Sequence, residues 1–277
     1  MADSTVATAN GGARIPRSTV RARKAGFARD VGSVAGRAIR SILRDAETLI
    51  FGIVVGTFFF VVNVGALQSF TESIIPGFDF KAFQLPMAIL FSVTGQSRAL
   101  MLVTDIQDGY FDRLRLTPVS RLALLLGLMV GDLALMIGLA IPVIVLGFLL
   151  GVSSSTGLLG ILVFLLLSGV WGLAYAGFPY ALALKTGNPA AVNLSFLIFF
   201  PAAFLTTAYL PREALTGWLA TAADYNPVTY LLDGLRSLLM TGWDGAALGQ
   251  AFLAVGLVGA VGMTLALKSL AGRVARG

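Results

Sequence analysis

Long apolar runs separated by short polar segments make up most of this 277-residue chain. A helix needs about 20 consecutive apolar residues to cross a bilayer, and six stretches of the sequence reach that length. They are Ala46–Leu67, Phe83–Thr104, Leu122–Leu150, Leu158–Leu184, Val192–Leu210 and Ala247–Leu267. The pattern therefore predicts an all-α membrane protein with six transmembrane helices.

The positive charges are distributed unevenly around these predicted spans. Six crossings return the chain to its starting side, and 17 of the 20 Lys and Arg residues lie on that side. Because cytoplasmic flanks are enriched in Lys and Arg, we expect both termini to be cytoplasmic. Sixteen Arg against four Lys, with abundant Ala and Gly, is typical of a GC-rich bacterial genome. We therefore expect a multi-pass protein of a bacterial cell (plasma or inner) membrane.

The overall composition excludes several other classes of protein. Apolar residues make up 57% of the chain and charged residues 12%, whereas soluble domains carry about 25% charged residues. The chain has no Cys and no His, so a disulfide, a thiolate metal site and a catalytic histidine are all excluded. No G-x-x-x-x-G-K-[ST] phosphate-binding loop occurs. We predict no catalytic, cofactor or metal site in this chain.

The N-terminal region is strongly basic. Residues 1–29 are predicted to form a disordered basic cytoplasmic tail, and 30–44 to form an amphipathic helix with apolar residues at helical spacing. Such a helix lies at the membrane interface, although a simple positive flank of the first span is the alternative. The net charge of +6 thus favours contact with anionic lipid rather than with nucleic acid. Residues 30–267 are expected to form one transmembrane domain, and 268–277 a cytoplasmic tail.

The connection between the second and third spans, 105–121, carries an unexpected apolar face. Ile106, Tyr110, Phe111 and Leu114 fall at helical spacing among charged residues. A solvated loop does not need this spacing, whereas a short helix that docks on another protein does. We therefore predict a short cytoplasmic coupling helix, with a connection that packs on its own bundle as the alternative.

A second unusual connection, 209–236, separates the fifth and sixth spans. It contains two amphipathic pieces on either side of Asn226-Pro227, and each piece is too short to cross a bilayer. Trp218 and Tyr230 are residues that favour the membrane interface. This pattern predicts a re-entrant outer hairpin that caps the bundle, with Trp218, Asn226, Pro227 and Tyr230 as gate residues.

The predicted spans contain few polar side chains. Asp132 lies inside the third span, and an ionisable residue at such a position is a functional candidate by default. The alternative is that it pairs with a neighbouring helix and holds the bundle in register. Polar and aromatic stripes on the second and fifth spans could line a path for an amphiphile, or could serve lipid contact and packing only. The candidate path residues are Gln84, Phe91, Thr94, Arg98, Phe196, Phe199, Phe200 and Thr207.

Three features together resemble the membrane subunit of ABC-2 type exporters, particularly the daunorubicin-resistance permease branch. The first is the layout of a basic N-terminal helix before six spans. The second is Asp108-Gly109-Tyr110-Phe111-Asp112-Arg113-Leu114 followed by Thr117-Pro118-Val119-Ser120-Arg121. The third is Leu210-Pro211-Arg212-Glu213-Ala214-Leu215 with Asn226-Pro227-Val228-Thr229-Tyr230 and Asp233-Gly234-Leu235-Arg236. The resemblance covers 30–267, and this chain has Asp108 where the family often has Glu.

This resemblance implies an ATP-driven exporter that moves an amphiphilic drug, lipid or lipid-linked compound out of the cytoplasm or the inner leaflet. Two copies of a separate P-loop ATPase would bring ATP and Mg, and a second permease subunit, identical or homologous, would complete the complex. The implied ATPase-coupling residues are Asp105, Asp108, Gly109, Tyr110, Phe111, Arg113 and Leu114. A self-sufficient secondary carrier and a non-transporting membrane anchor are the alternatives.

Overall fold

The computed structural model describes residues 26–42, 44–109 and 121–276, and the regular secondary structure in those ranges is entirely helical. The α-helices, numbered here in chain order, are α1 (Phe27–Ile42), α2 (Ala46–Ile74), α3 (Phe80–Val93), α4 (Ala99–Gln107), α5 (Arg121–Leu149), α6 (Gly157–Thr186), α7 (Pro189–Phe204), α8 (Gly217–Tyr225), α9 (Pro227–Met240) and α10 (Gly245–Arg276). A short 3-10 turn covers Arg212–Ala214.

Four helices in the described ranges are long and apolar enough to cross a membrane. They are Ala46–Ile74, Leu122–Leu149, Gly157–Thr186 and Gly245–Arg273, and they correspond to the first, third, fourth and sixth predicted spans. Helices α3 and α7 are apolar but shorter, with 14 and 16 residues. The all-helical prediction is thereby confirmed for the part of the chain that the structure describes.

The second and fifth predicted spans are not continuous helices. The second is divided into α3 and α4, because Thr94 has an extended backbone and Gly95 takes a φ of +88°, which suits glycine. The fifth ends at Phe204, three residues after Pro201, and 205–210 are not helical. The predictions of single helices over Phe83–Thr104 and Val192–Leu210 are therefore wrong, since apolar composition indicates a lipid or protein environment and not continuity of the backbone.

Helix α1 packs on α5 through two glycines. An ideal Cβ at Gly127 would lie 2.5 Å from Cβ of Val34, and one at Gly131 would lie 2.5 Å from Cβ of Ala38. The apolar face of the amphipathic helix is thus covered at least partly by protein. The helix begins at Phe27 and ends at Ile42, slightly earlier at both ends than the sequence pattern predicts.

Close contact between glycines also joins α6 to α10. A Cβ at Gly177 would collide with the backbone of Gly262, and small residues at such contacts let membrane helices approach closely. Helix α10 continues to Arg276, and the Arg273 guanidinium donates to the Leu184 carbonyl at 3.0 Å. Most of the segment predicted as a cytoplasmic tail, 268–277, is therefore the last part of a helix.

Helix α3 forms the centre of the bundle. Every residue from Phe80 to Val93 except Lys81 is buried, and α2, α5, α6 and α9 all contact this helix. The two ends of α3 meet the polar groups that are described next.

Candidate functional site

The break between α3 and α4 is held by side chains from two other helices. The Trp171 indole N–H on α6 donates to the Thr94 hydroxyl at 3.0 Å. Asp132 on α5 accepts the backbone N–H of Arg98 on Oδ1 and the hydroxyl of Tyr180 on Oδ2, each at 2.7 Å. A carboxyl group at the start of α4 satisfies a backbone donor that the helix itself leaves free.

Asp132 is fully buried, with 0% exposure. Its two hydrogen bonds join α5 to the start of α4 and to α6. These contacts fit the interpretation in which Asp132 pairs with neighbouring helices and holds the bundle in register. A role for this carboxyl group in transport stays a prediction.

The Arg98 side chain is almost completely buried, with 5% exposure. Its Nη1 forms an ion pair with Asp45 Oδ2 at 3.0 Å, and Asp45 also caps α2 by accepting the Thr48 N–H at 3.2 Å. The other two nitrogens, Nε and Nη2, are buried and have no hydrogen-bond acceptor among the described residues. The side chain therefore keeps two unused donors in a place where water does not reach them.

A cavity of about 530 Å³ lies beside Arg98, between α2, α4 and α7. Its wall combines apolar side chains with polar ones from the helix break and from α7. Its lining residues include Phe51, Gln96, Ser97, Arg98, Asn193 and Phe196. A volume of this size is typical of small-molecule sites.

The aromatic residues of the predicted path meet in one cluster around Phe91. The Phe91 ring stacks on Phe59 with 4.2 Å between centroids and contacts Phe199 and Phe200 at 5.7 and 5.5 Å. This cluster connects α2, α3 and α7, and its geometry is that of a packed core.

The structure separates the eight predicted path residues into three groups. Arg98 and Phe196 line the cavity beside α4. Phe200 is only partly buried, whereas the others are enclosed by protein: Gln84, Phe91, Thr94, Phe199 and Thr207. The assignment of all eight to one path stays a prediction.

Asn226 and Pro227 form the junction between α8 and α9. Asn226 Oδ1 accepts the N–H of Val228 at 3.0 Å and so caps α9, while Pro227 occupies the first helical position, where no N–H is needed. The Asn226 amide N–H groups donate to the carbonyls of Ala202 and Leu205 at 2.6 and 2.9 Å. One side chain thus begins α9 and satisfies carbonyls at the end of α7.

Arg236 on α9 is buried at the other end of α3. It donates from Nε to the Phe83 carbonyl at 3.0 Å, and from Nη1 and Nη2 to the Thr207 hydroxyl and carbonyl at 2.9 and 2.8 Å. Its guanidinium also lies over the Phe83 ring, 3.5 Å from the centroid. All three nitrogens have acceptors, so this side chain joins α9, α3 and the irregular segment after α7.

The remaining gate candidates differ in exposure. Trp218 is 74% exposed, whereas the Tyr230 hydroxyl donates to the Asp224 carbonyl at 2.6 Å. Arg212 forms an ion pair with Asp224 close to Tyr230. These residues lie in or just before α8 and α9, and their role as a gate stays a prediction.

A sequence model of the ABC-2 type transporter family matches residues 24–240. The chain belongs to this family. A daunorubicin resistance ABC transporter permease protein, DrrB1, from Streptomyces coeruleorubidus is 28% identical over 183 residues, which are 63% of this chain and 61% of that relative. Probable doxorubicin resistance permeases named DrrC, from two strains of Mycobacterium tuberculosis, are 25% identical over 217 residues, or 78% of this chain and 73% of those relatives.

The family assignment also fits the hydropathy of the chain. Together with four long apolar helices, it identifies a multi-pass membrane protein. The aligned part of this ABC-2 type chain covers less than two thirds of the Streptomyces relative.

The coupling residues predicted for this ABC-2 chain are described only in part. Asp105 forms an ion pair with Arg37 of α1 at 3.5 Å. Asp108 and Gly109 end α4, where Gly109 has a φ of +66°. The other predicted residues lie outside the described ranges: Tyr110, Phe111, Arg113 and Leu114.

Helix α4 is also anchored at this end. The Gln107 amide donates to the Gly187 carbonyl at 3.0 Å, which ties α4 to the link between α6 and α7. Ile106, which the sequence placed on the apolar face of the coupling helix, is buried with 9% exposure and packs into the bundle. At this residue the structure fits the alternative, a connection that packs on its own bundle.

Several residues that organise this ABC-2 site are not recognisable as such in the sequence. Trp171 and Tyr180 lie in an apolar run like any core aromatic, and Arg236 looks like an ordinary basic residue of an outer connection. The available signal is weak: buried Trp and Tyr usually find a hydrogen-bond partner. It predicts that a partner exists and does not identify it.

Proposed function

We propose that this chain is the membrane-spanning permease subunit of an ATP-driven ABC exporter that moves an amphiphilic drug, lipid or lipid-linked compound out of the cytoplasm or the inner leaflet. The observation that carries the proposal is the family match over residues 24–240. The relatives are named as drug resistance permeases, which supports the substrate class. The mixed polar and apolar wall of the cavity beside α4 fits an amphiphilic cargo.

The proposed complex contains two copies of a P-loop ATPase and a second permease subunit, identical or homologous. The ATPase supplies ATP and Mg and docks on the segment that begins at Asp105. Helix α4 connects this segment to the helix break, since Asp132 of α5 binds the backbone of Arg98 at its start and the Gln107 side chain binds the link between α6 and α7 at its end. A displacement of its coupling end therefore moves Arg98 and the wall of the cavity.

In the proposed topology the chain crosses the membrane six times, with both termini in the cytoplasm. Helices α3 and α4 together make the second crossing, and α7 makes most of the fifth. Non-helical backbone within a membrane is tolerated where protein satisfies its polar groups, and the hydrogen bond from the Arg98 N–H to Asp132 supports such a break. The α8–α9 hairpin is re-entrant and caps the outer side.

Exposed apolar faces support the second permease subunit. Helix α2 exposes Phe51, Val54 and Phe58, and α7 exposes Leu197 and Ile198. These two helices border the cavity beside Arg98. A second subunit on this face encloses a path between the two permeases.

Copurification tests the proposal. The full chain is expected to purify with a P-loop ATPase, and the double variant F111D/L114D is expected to lose it, because charged groups destroy an apolar docking ridge. The matched variant F111L/L114M should retain the ATPase. An intact complex and unchanged transport in the Asp variant would contradict the proposal.

A further inference from the structure

The two unused donors of Arg98 belong to the same edge of its guanidinium. Nε and Nη2 lack an acceptor among the described residues, while Nη1 is engaged by Asp45 at 3.0 Å. An N–H group on each of these two nitrogens points in parallel, and such a pair matches the two oxygens of a carboxylate or a phosphate. Buried polar groups normally have partners, so an unpaired edge of this kind points to a ligand.

The cavity that Arg98 lines has a composition suited to an amphiphile. Phe51 and Phe196 supply aromatic surface on α2 and α7, and Leu100 adds apolar surface on α4. Gln96 and Asn193 add neutral hydrogen-bonding groups. A molecule with one polar end and one apolar end can satisfy both parts of this wall.

We propose that this cavity binds the anionic head group of an amphiphile, a phosphate or a carboxylate, whose oxygens accept from Nε and Nη2 of Arg98 while its apolar part lies against Phe51 and Phe196. The inference rests on the proposed function for what happens to the ligand afterwards. Both nitrogens are shielded from water in the present conformation. A ligand in the cavity does not touch them in this structure, so the proposal includes a movement of the surrounding wall that exposes this edge of Arg98.

Two acidic residues also line the cavity, and each negative charge is stabilised by a neighbouring group. Asp45 is neutralised by its ion pair with Arg98 and by the cap that it forms on α2. Glu47 is exposed and lies in the first turn of α2, where the positive end of the helix dipole favours a negative charge. The cavity wall thus carries two carboxylates and one guanidinium, and the preference for an anion rests on the two Arg98 nitrogens that have no acceptor among the described residues.

Equilibrium binding to the purified full chain without ATP tests this inference separately from ATPase coupling. In phosphatidylcholine nanodiscs, a fluorescent phosphatidic acid should bind at least tenfold more tightly than the matching diacylglycerol. Dodecyl phosphate should compete, which would show that the site also binds amphiphiles with a single alkyl chain. Inorganic phosphate should compete only weakly because it lacks the apolar part. Tighter binding of dodecyltrimethylammonium, or equal binding of the neutral lipid, would overturn the inference.

Isosteric variants place a negative charge in the wall of the cavity without changing its shape. Gln96→Glu and Asn193→Asp should each weaken phosphatidic acid binding at least tenfold and leave diacylglycerol binding unchanged. Gln250→Glu, in a separate groove of about 540 Å³ near α9 and α10, is the matched control and should have no effect. Arg98→Lys keeps the charge but loses the two parallel N–H groups, and should bind phosphatidic acid several-fold more weakly.

The outcomes separate this inference from the proposed function. Charge-sensitive binding by a chain that associates with no ATPase would support the site and refute the exporter. Binding that is unaffected by Gln96→Glu and Asn193→Asp, with folding intact, would overturn the site and leave the exporter untouched.

Discussion

Two buried arginines lie at opposite ends of α3, and they differ in how many of their guanidinium nitrogens have hydrogen-bond acceptors. Arg236 has an acceptor for each of its three guanidinium nitrogens, in addition to the Phe83 ring beneath it. Arg98 has an acceptor for one, and its Nε and Nη2 have none among the described residues. Their exposures are nearly equal, at 6% and 5%. The difference therefore lies in the partners and not in the depth of burial.

This difference indicates that the two ends of the bundle have different tasks. At the Arg236 end, a fully bonded guanidinium joins α9 to α3 and to the irregular segment after α7, which is what a fixed structural connection requires. At the Arg98 end, the fixed connection is made by Asp132 and by the backbone of Arg98. The Arg98 side chain is thereby left with donors for a ligand.

The largest effect is expected at Arg236. Arg236→Leu leaves the carbonyls of Phe83 and Thr207 without donors, and each buried unpaired group costs about 1–3 kcal/mol. We expect the free energy of unfolding in mild detergent to fall by about 3 kcal/mol, as measured by denaturant titration. Arg212→Leu is the control, because its exposed ion pair with Asp224 should contribute about 0.5 kcal/mol or less. Similar losses of unfolding free energy in both variants would contradict the structural role of Arg236.

An intermediate effect is expected at Asp132. Asp132→Ala leaves the Arg98 backbone N–H and the Tyr180 hydroxyl unpaired, and should lower the unfolding free energy by about 2 kcal/mol. Asp132→Asn keeps one oxygen acceptor and should lose about half as much. A fully stable Asp132→Ala protein that no longer transports would instead identify the carboxyl group as functional.

The smallest effect on stability is expected at Arg98. Arg98→Met loses an ion pair with the partly exposed Asp45 but also removes two unpaired buried donors, and these changes oppose each other. The unfolding free energy should change by less than about 1 kcal/mol, while phosphatidic acid binding is lost. A decrease as large as that of Arg236→Leu would abolish the distinction between the two arginines.

The long helices could be predicted from the sequence because each is a run of apolar residues longer than the bilayer. The break between α3 and α4 could not be predicted in this way. It depends on Gly95 in an unusual conformation and on hydrogen bonds from Trp171 and Asp132, which are distant in sequence. Apolar residues continue through the break, so hydropathy alone does not detect it.

The sequence identified some residues of the candidate site but not their hydrogen-bond partners. Asp132 and Arg98 stood out because charge is rare in apolar runs, and Asn226-Pro227 because this pair breaks an amphipathic pattern. Their partners did not stand out, since Tyr180 resembles any core aromatic. The path residues shared a helical stripe, yet α3 lies at the centre of the bundle and buries most of that stripe.

Transport by purified components tests the central claim most directly. The permease is reconstituted in liposomes with and without its ATPase, and the movement of a fluorescent amphiphile is followed after addition of ATP and Mg. We predict movement only when both proteins and ATP are present. Movement by this chain alone, driven by a proton gradient without ATP, would contradict the account and establish a secondary carrier.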